Sequence, residues 1–337
     1  MGGFRLTILL AAMVTMVIAG MLYQQIGRAN DARRFPPPGR RFKVGTVRLH
    51  ADQMGEGSPT VVFEAGIAAT SLSWRLVQPE IAKITRTLSY DRAGLGWSDT
   101  ASKSRDVHRV VEELHALLEA AGVSGPRILV AHSYGALVAL GYAARYPREV
   151  AALVLVDPVA PSEWAHASEG HQKMLRQGIF FARFGGVLAM LGVVRFALSS
   201  LSRGGRAMPK FLVRATSGRG GAGLADRMVG QVRKLPPEVW PMIQSHWCDA
   251  KCFFAMARYL EGLPQSCAEI LHDAATIRVP VTVLSSQGAS AVQSADHQSL
   301  AKLVDGGRLE VVAGAGHWIQ LDRPDAVIRA IRDILKR

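Results

Sequence analysis

A chain of 337 residues holds one large domain or two small ones, and 49% hydrophobic with 20% charged residues is the make-up of a globular protein with a sizeable core. Three cysteines, Cys248, Cys252 and Cys267, are an odd number in a long chain and exclude a disulfide framework; Cys248-x-x-x-Cys252, with only His246 nearby, lacks zinc spacing, so no metal is expected. The net charge of +13 is uneven: residues 1–48 carry +7, residues 159–275 carry +6, and the remainder balances. No nucleic-acid motif accompanies this excess, so an anionic membrane surface is the expected partner and nucleic acid is not.

From Leu6 to Gly27 no residue is charged. A helix of that length crosses a hydrocarbon core about 30 Å thick. A cleaved signal peptide is the rival, but the preceding region has only Arg5, the apolar run is long, and Val17-x-Ala19 is a weak cleavage site. Residues 1–27 therefore read as an uncleaved transmembrane anchor. Arg28, Arg33, Arg34, Arg40, Arg41 and Lys43 follow, which by the positive-inside tendency keeps the body on the cytoplasmic side. Export after signal cleavage is the alternative. Residues 28–42, with three successive prolines, read as a basic, stiff linker.

Lys43–Ala51 and Thr60–Glu64 read as strands separated by a turn cluster over 55–59. Val107 to Ala121 has helical spacing, closed by Gly122. Residues 128–140, ILVAHSYGALVAL, pass from a buried strand to a helix within about three residues. So sharp a bend pushes Ser133 out at the top of the sheet, and Gly135 lets the helix backbone pass close. Residues 151–156 form an uninterrupted apolar run that ends in Asp157, as a central parallel strand does. Ligands and catalysis lie beyond the carboxyl ends of such strands.

Residues 159–275 break the alternation of strand and helix, and no strand is expected in them. Ile179–Leu198 is apolar but interrupted by Arg183 and Arg195, and reads as a helix of an insert and not as a second membrane span. Arg203, Arg206, Lys210, Arg214 and Arg219 lie in an acid-free stretch beside glycine-rich residues 218–223, which suits a solvated loop or a surface facing anionic lipid. After it come a strand at Val279–Ser285, a helix at Ala295–Val304 and a strand at Arg308–Val312. A glycine-rich loop carrying His317 and a final helix from about Asp325 to Leu335 complete the chain.

The Ala131-His-Ser-Tyr-Gly135 bend resembles the nucleophile elbow G-x-S-x-G of the α/β-hydrolase superfamily, with Ala131 in place of the first glycine. Three further elements strengthen the resemblance: the turn Glu64-Ala-Gly-Ile67, the sequence Asp91-Arg-Ala-Gly-Leu-Gly-Trp-Ser98, and the carboxy-terminal Gly316-His317. It implies an α/β fold with a mostly parallel central sheet flanked by helices. The hydrolase core would run over residues 43–158 and 276–337, split by a helical cap at 159–275. It also implies Ser133 as nucleophile and His317 as base, in the family order of serine, acid, histidine.

Backbone N–H groups of Ile67 and Tyr134 would form the oxyanion hole, and Asp91 and Arg92 would be structural, with a substrate contact from Trp97 the lesser reading. His132 adjoins the serine, but strand geometry directs it elsewhere. The commonest family position for the acid follows the strand ending at Ser285, where no carboxylate occurs before Asp296. Some members carry it after the strand that follows the elbow helix, where Asp157 stands. Asp157 is therefore expected, with Asp296 the alternative; Asp305 suits a turn, and Asp322 and Asp325 suit a helix N-terminus.

The expected function is cleavage of an ester or related acyl bond in a small-molecule substrate, through an acyl-enzyme and without a cofactor. An acyltransferase or cofactor-free perhydrolase with the same triad is the alternative, as is a non-catalytic binding protein on a degenerate hydrolase fold. Epoxide and haloalkane chemistry on this fold uses a carboxylate nucleophile, against which Ser133 argues.

Overall fold

Runs of β-branched and aliphatic residues build the sheet. A computed structural model describes residues 2–101, 105–202 and 231–336. Its strands are β1 (Arg40–Val44), β2 (Val47–Met54), β3 (Thr60–Glu64), β4 (Thr87–Tyr90), β5 (Arg127–His132), β6 (Val150–Val156), β7 (Val281–Ser286) and β8 (Arg308–Val312). They form one sheet in the order β1-β2-β4-β3-β5-β6-β7-β8. β2 is antiparallel to β1 and β4, and every other pair is parallel.

The central strands are apolar throughout because both faces are covered. On β5, Leu129 and Ala131 join one apolar cluster while Ile128 and Val130 join the other; on β6, Leu153 and Leu155 oppose Val154 and Val156 in the same way. The first cluster packs under helices α2 (Val107–Ala120) and α3 (Gly135–Arg145). In α2 the apolar positions 107, 110, 111, 114, 117 and 118 are all buried, and the Asp106 carboxylate caps its start by accepting from Arg109 N–H.

Three element boundaries differ from the sequence reading. Lys43–Ala51 is not one strand: Val44 pairs with Val47 across a turn at Gly45, whose φ is +57°. The apolar alternation runs through the turn and hides it. The amino-terminal helix, α1, spans Gly2–Arg34, so the segment expected as a linker over 28–42 is helical through Arg34 and already in β1 by Arg40. The helix expected at Ala295 begins at Ala291, where Ser290 and Gln293 form a capping box.

Between β6 and β7 the described residues form helices and no strand. These include α4 (Glu169–Met190), α5 (Val193–Ser202), α6 (Trp240–Trp247), α7 (Ala250–Glu261) and α8 (Leu263–Asp273). α4 and α5 meet at an angle of 84°, so residues 179–198 are not one straight helix. α4 presses onto α7: a Cβ at Gly185 would lie 2.7 Å from the Phe253 ring, and one at Gly186 2.7 Å from Phe254. α8 packs differently, against the sheet's own helix layer. Cys267 and Ile270 belong to the first apolar cluster, and Ser266 Oγ accepts from Val107 N–H at 3.0 Å. The cations between Arg203 and Arg219 lie outside the described residues. α9 (Ala291–Ala301) and α10 (Pro324–Leu335) complete the fold.

Candidate active site

Among the described residues, two non-glycine residues have positive φ: Ser133 at 53° and Asp157 at 41°. Each follows the carboxyl end of a central parallel strand. A left-handed backbone at such residues costs about 1–3 kcal/mol and persists only where surrounding contacts fix it. The contacts are present. Ser133 N–H donates to Val156 O at 3.1 Å, and Asp157 N–H donates to Leu284 O at 2.7 Å. Gly135 is required by close approach, since a Cβ there would lie 2.8 Å from Ala65 O and 2.7 Å from Glu64 Cγ. Any side chain would push α3 off the turn after β3.

His317 reaches this place from the loop after β8. Its Nε2 lies 3.0 Å from Ser133 Oγ, and its Nδ1 lies 2.7 Å from Asp157 Oδ2. With Nδ1–H donating to the carboxylate, Nε2 is left as the acceptor for the serine hydroxyl. The other carboxylate oxygen, Oδ1, accepts from Ser286 N–H at 2.7 Å. Burial would raise the Asp157 carboxyl, but the bonds from His317 and Ser286 outweigh it and hold the group below its ordinary range. The end of β7, which lacks a carboxylate, thus contributes a backbone donor to the one at the end of β6.

Asp296, the alternative acid, is engaged elsewhere. Its Oδ1 accepts from Ser162 Oγ at 2.6 Å and its Oδ2 from Ser162 N–H at 2.9 Å, which ties α9 to the short helix Pro161–Ala165 that follows β6. Asp322 accepts from Gly316 N–H at 2.8 Å, bracing the loop that carries His317, and Asp325 lies in the first turn of α10.

The turn after β3 faces the serine: a Cβ on Gly66 would lie 3.6 Å from Ser133 Cβ. No acceptor for the N–H of Ile67 or Tyr134 is found among the described residues. Arg92 clamps this turn. Its guanidinium pairs with buried Glu64 and donates to Ala65 O at 2.6 Å and to Gly66 O at 2.5 Å. Glu64 also accepts from Tyr90. Removing one partner of a buried pair strands the other charge, so Arg92→Met should cost about 3–5 kcal/mol in urea unfolding. Asp91 serves the neighbouring turn. It accepts from Ser71 N–H at 2.8 Å and Trp97 N–H at 3.0 Å and bonds His50 Nδ1 at 2.9 Å. Trp97 is held in place as well: its indole N–H donates to Phe35 O at 3.0 Å, and its ring lies against His50 and His246.

His132 has a position that its place in the chain did not disclose. Its Nε2–H donates to the backbone carbonyl of His317 at 2.8 Å, bridging β5 to the loop 185 residues later. Burial, reinforced by the neighbouring His317, pushes the ring down to about 3, so it is a neutral donor. Burial likewise pushes His246 down to about 4. A histidine depressed in the folded state lets the unfolded chain bind more protons below about pH 6.5, so its contribution falls as pH drops through that window. At pH 5 the loss from His246 amounts to about 2 kcal/mol. His246→Phe should therefore lose less stability than the parent between pH 7 and pH 5, read as the shift in urea midpoint.

The segment between β6 and β7 roofs this end of the sheet. Leu235, Val239 and Ile243 pack on Leu72 and Leu321, with Trp318 and Trp97 beside them. A hydroxyl, an imidazole and a carboxylate in hydrogen-bonded series, at the carboxyl ends of a mostly parallel sheet and under a helical roof, define an α/β-hydrolase architecture. The Alpha/beta hydrolase family model matches residues 61–330, and the chain belongs to that family.

Relatives bear this out. An uncharacterized protein of Bacillus subtilis (strain 168), YqjL, is 36% identical over 120 residues, which cover 35% of this chain and 47% of that protein. A second uncharacterized protein of that strain, YbdG, is matched over 49% of its length, so the chain spans about half of these two relatives. Epoxide hydrolase 3 of Xenopus tropicalis is 26% identical over 301 residues, covering 88% of this chain and 77% of that one. A solved thermophilic esterase from Thermogutta terrifontis shares the fold with a TM-score of 0.64 at 19% identity, over 88% of this chain and 97% of the esterase.

Proposed function

We propose that the chain is a serine hydrolase of esters or related acyl bonds, with Ser133 as nucleophile, His317 as general base and acid, and Asp157 as the orienting carboxylate. The observation that carries this reading is the unbroken series from Ser133 Oγ through His317 to Asp157, at 3.0 and 2.7 Å. Serine is a weak nucleophile until a positioned base takes its proton. Ser133 Oγ adds to the substrate carbonyl carbon as His317 Nε2 accepts the hydroxyl proton. The carbonyl oxygen becomes an alkoxide, which the Ile67 and Tyr134 N–H groups bind. Losing one such donor elsewhere costs about 2.7–4 kcal/mol. Collapse expels the leaving group with the proton from His317 and leaves an acyl-serine. Water, deprotonated by the same imidazole, then adds to the acyl carbon and releases the acid and free Ser133.

The likeness to an epoxide hydrolase does not carry that substrate to this chain. Opening an epoxide with a serine oxygen would leave an ether, which the second step cannot hydrolyse, whereas an acyl-serine is an ester.

α1 is apolar enough to span a bilayer, with a mean hydropathy of 2.3 over its best window. We read it as the membrane anchor, with the segment between β6 and β7 as the cap over the site. A fluorophosphonate probe tests the catalytic reading, because it reacts only with an activated serine. The expected result is one adduct on Ser133, which does not form when the protein is heat-denatured before the probe is added; well-folded protein that takes up no probe would overturn it.

A further inference from the structure

We propose that the outer face of α4 and α5 is a second membrane-contacting surface, seated in the headgroup–acyl boundary beside α1. The proposal rests on the reading of α1 as an anchor and goes beyond it, because it assigns a lipid-facing side to the roof of the site. The first observation is that α1 is clasped to the body. Gly20, Gln24, Gly27 and Asp31, spaced along one helical face, are its buried or half-buried positions. A Cβ on Gly20 would lie 2.4 Å from Leu191 O, and one on Gly27 2.4 Å from Arg195 Nε, so α1 meets the corner between α4 and α5 without room for side chains.

Gln24, 2% exposed, donates to Cys248 O at 2.7 Å and accepts from Arg195 Nε at 2.9 Å. Arg195 also pairs with Asp31 at 2.7 Å, and Arg28 pairs with Asp249 at 3.3 Å. Gln24 and Arg195 are buried and partnered, and a buried polar network of this kind fixes one orientation. The body therefore hangs on the anchor in a set attitude, with the corner between α4 and α5 at the level of Gly20.

The second observation is the apolar surface on either side of that corner. Along α1, the large apolar residues from Phe4 to Ile18 are exposed. Across the corner, Val187, Met190 and Phe196 are exposed within five residues of Leu191, and Phe180, Phe181 and Phe184 extend the row along α4, with Phe180 61% and Phe196 64% exposed. Phe180 packs on Phe181 and Phe184, and large apolar side chains exposed side by side mark a contact site rather than the single exposures of an ordinary surface. Lys173 and Arg176 stand on α4 with one acid, Glu169, and Arg33 and Arg34 end α1, while Arg183 is paired with Glu261 of α7 at 2.7 Å. Aromatic residues with a cationic rim match an anionic lipid interface. The surface continues that of a helix already in lipid, so the bilayer is the occupant it fits. α6, which roofs the site, ends at Trp247 beside the Cys248 carbonyl that Gln24 binds, so this seating brings the roof to the lipid surface.

The test uses the full chain reconstituted in phosphatidylcholine–phosphatidylglycerol vesicles, with or without bromine on the acyl chains. A bimane probe is attached singly at Leu9→Cys, Phe181→Cys, Phe196→Cys or Val311→Cys, and the parent, whose own cysteines are buried or half-buried, gives the background. Val311 is exposed on edge strand β8 and serves as the control. The expected result is loss of fluorescence in brominated vesicles at 9, 181 and 196, and none at 311. Quenching at 9 with none at 181 and 196 would overturn the proposal and leave the anchor standing. No quenching at 9 would overturn the anchor reading, and the proposal with it. Probes at two separate cap positions keep the result decisive if one variant fails to fold.

Discussion

Replacing Ser133 with alanine lowers turnover of a short acyl ester by about a million-fold, the scale of losing a triad nucleophile, and leaves only the thousandfold or so that binding and oxyanion stabilisation supply without it. The size follows from the position of the hydroxyl. Ser133 is held at a φ of 53° by its N–H bond to Val156 O, and its Oγ sits 3.0 Å from His317 Nε2. Alanine fits the same backbone, so the fold should survive: urea midpoints of parent and variant should agree within error while activity disappears. A variant that retained turnover would leave the imidazole acting on water directly, and Ser133 as a small residue in a tight bend.

Asp157→Asn carries the second-largest effect, about a ten-thousandfold fall in kcat. An amide at this place can donate to His317 Nδ1 and so favours the wrong tautomer, in which Nε2 carries the proton and cannot take one from serine. Asp296→Asn should change kcat little, because both its oxygens serve Ser162. The pair of variants separates the two acids cleanly. A large loss at Asp296 with little at Asp157 would reverse the assignment. An Asp157→Asn variant should also lose the stability that its bonds to His317 and Ser286 give above about pH 4. That contribution belongs to a carboxylate depressed in the folded state, and it is lost as pH falls through the folded value.

Much of this site is legible in the chain because its parts are local. The bend at Ser133 needs a strand, a small residue at Ala131 and a glycine at Gly135, all within five positions. Asp157 is readable because a strand buried on both faces stays apolar to its tip, so the first carboxylate after the run stands at the carboxyl end of the sheet. What could not be read is pairwise and distant. His132 donates to a carbonyl 185 residues away, Arg92 clamps a turn 26 residues upstream, and Gln24 meets Cys248 224 residues on. None of these leaves a periodic trace. The hairpin at Gly45 was hidden for the opposite reason, since apolar alternation is the same on both sides of the turn. The break between α4 and α5 lies inside a run that stays largely apolar on both sides of it, and the positive φ of Gly192, 75°, marks it.

The acyl-enzyme itself is the most direct test of the serine mechanism. The full chain is mixed with a p-nitrophenyl ester, quenched in acid within the first turnover, digested and weighed by mass spectrometry. The predicted result is the added mass of the acyl group on the peptide carrying Ser133, and none in Ser133→Ala. Steady release of p-nitrophenol with that peptide unmodified, or the acyl group found on another residue, would contradict it.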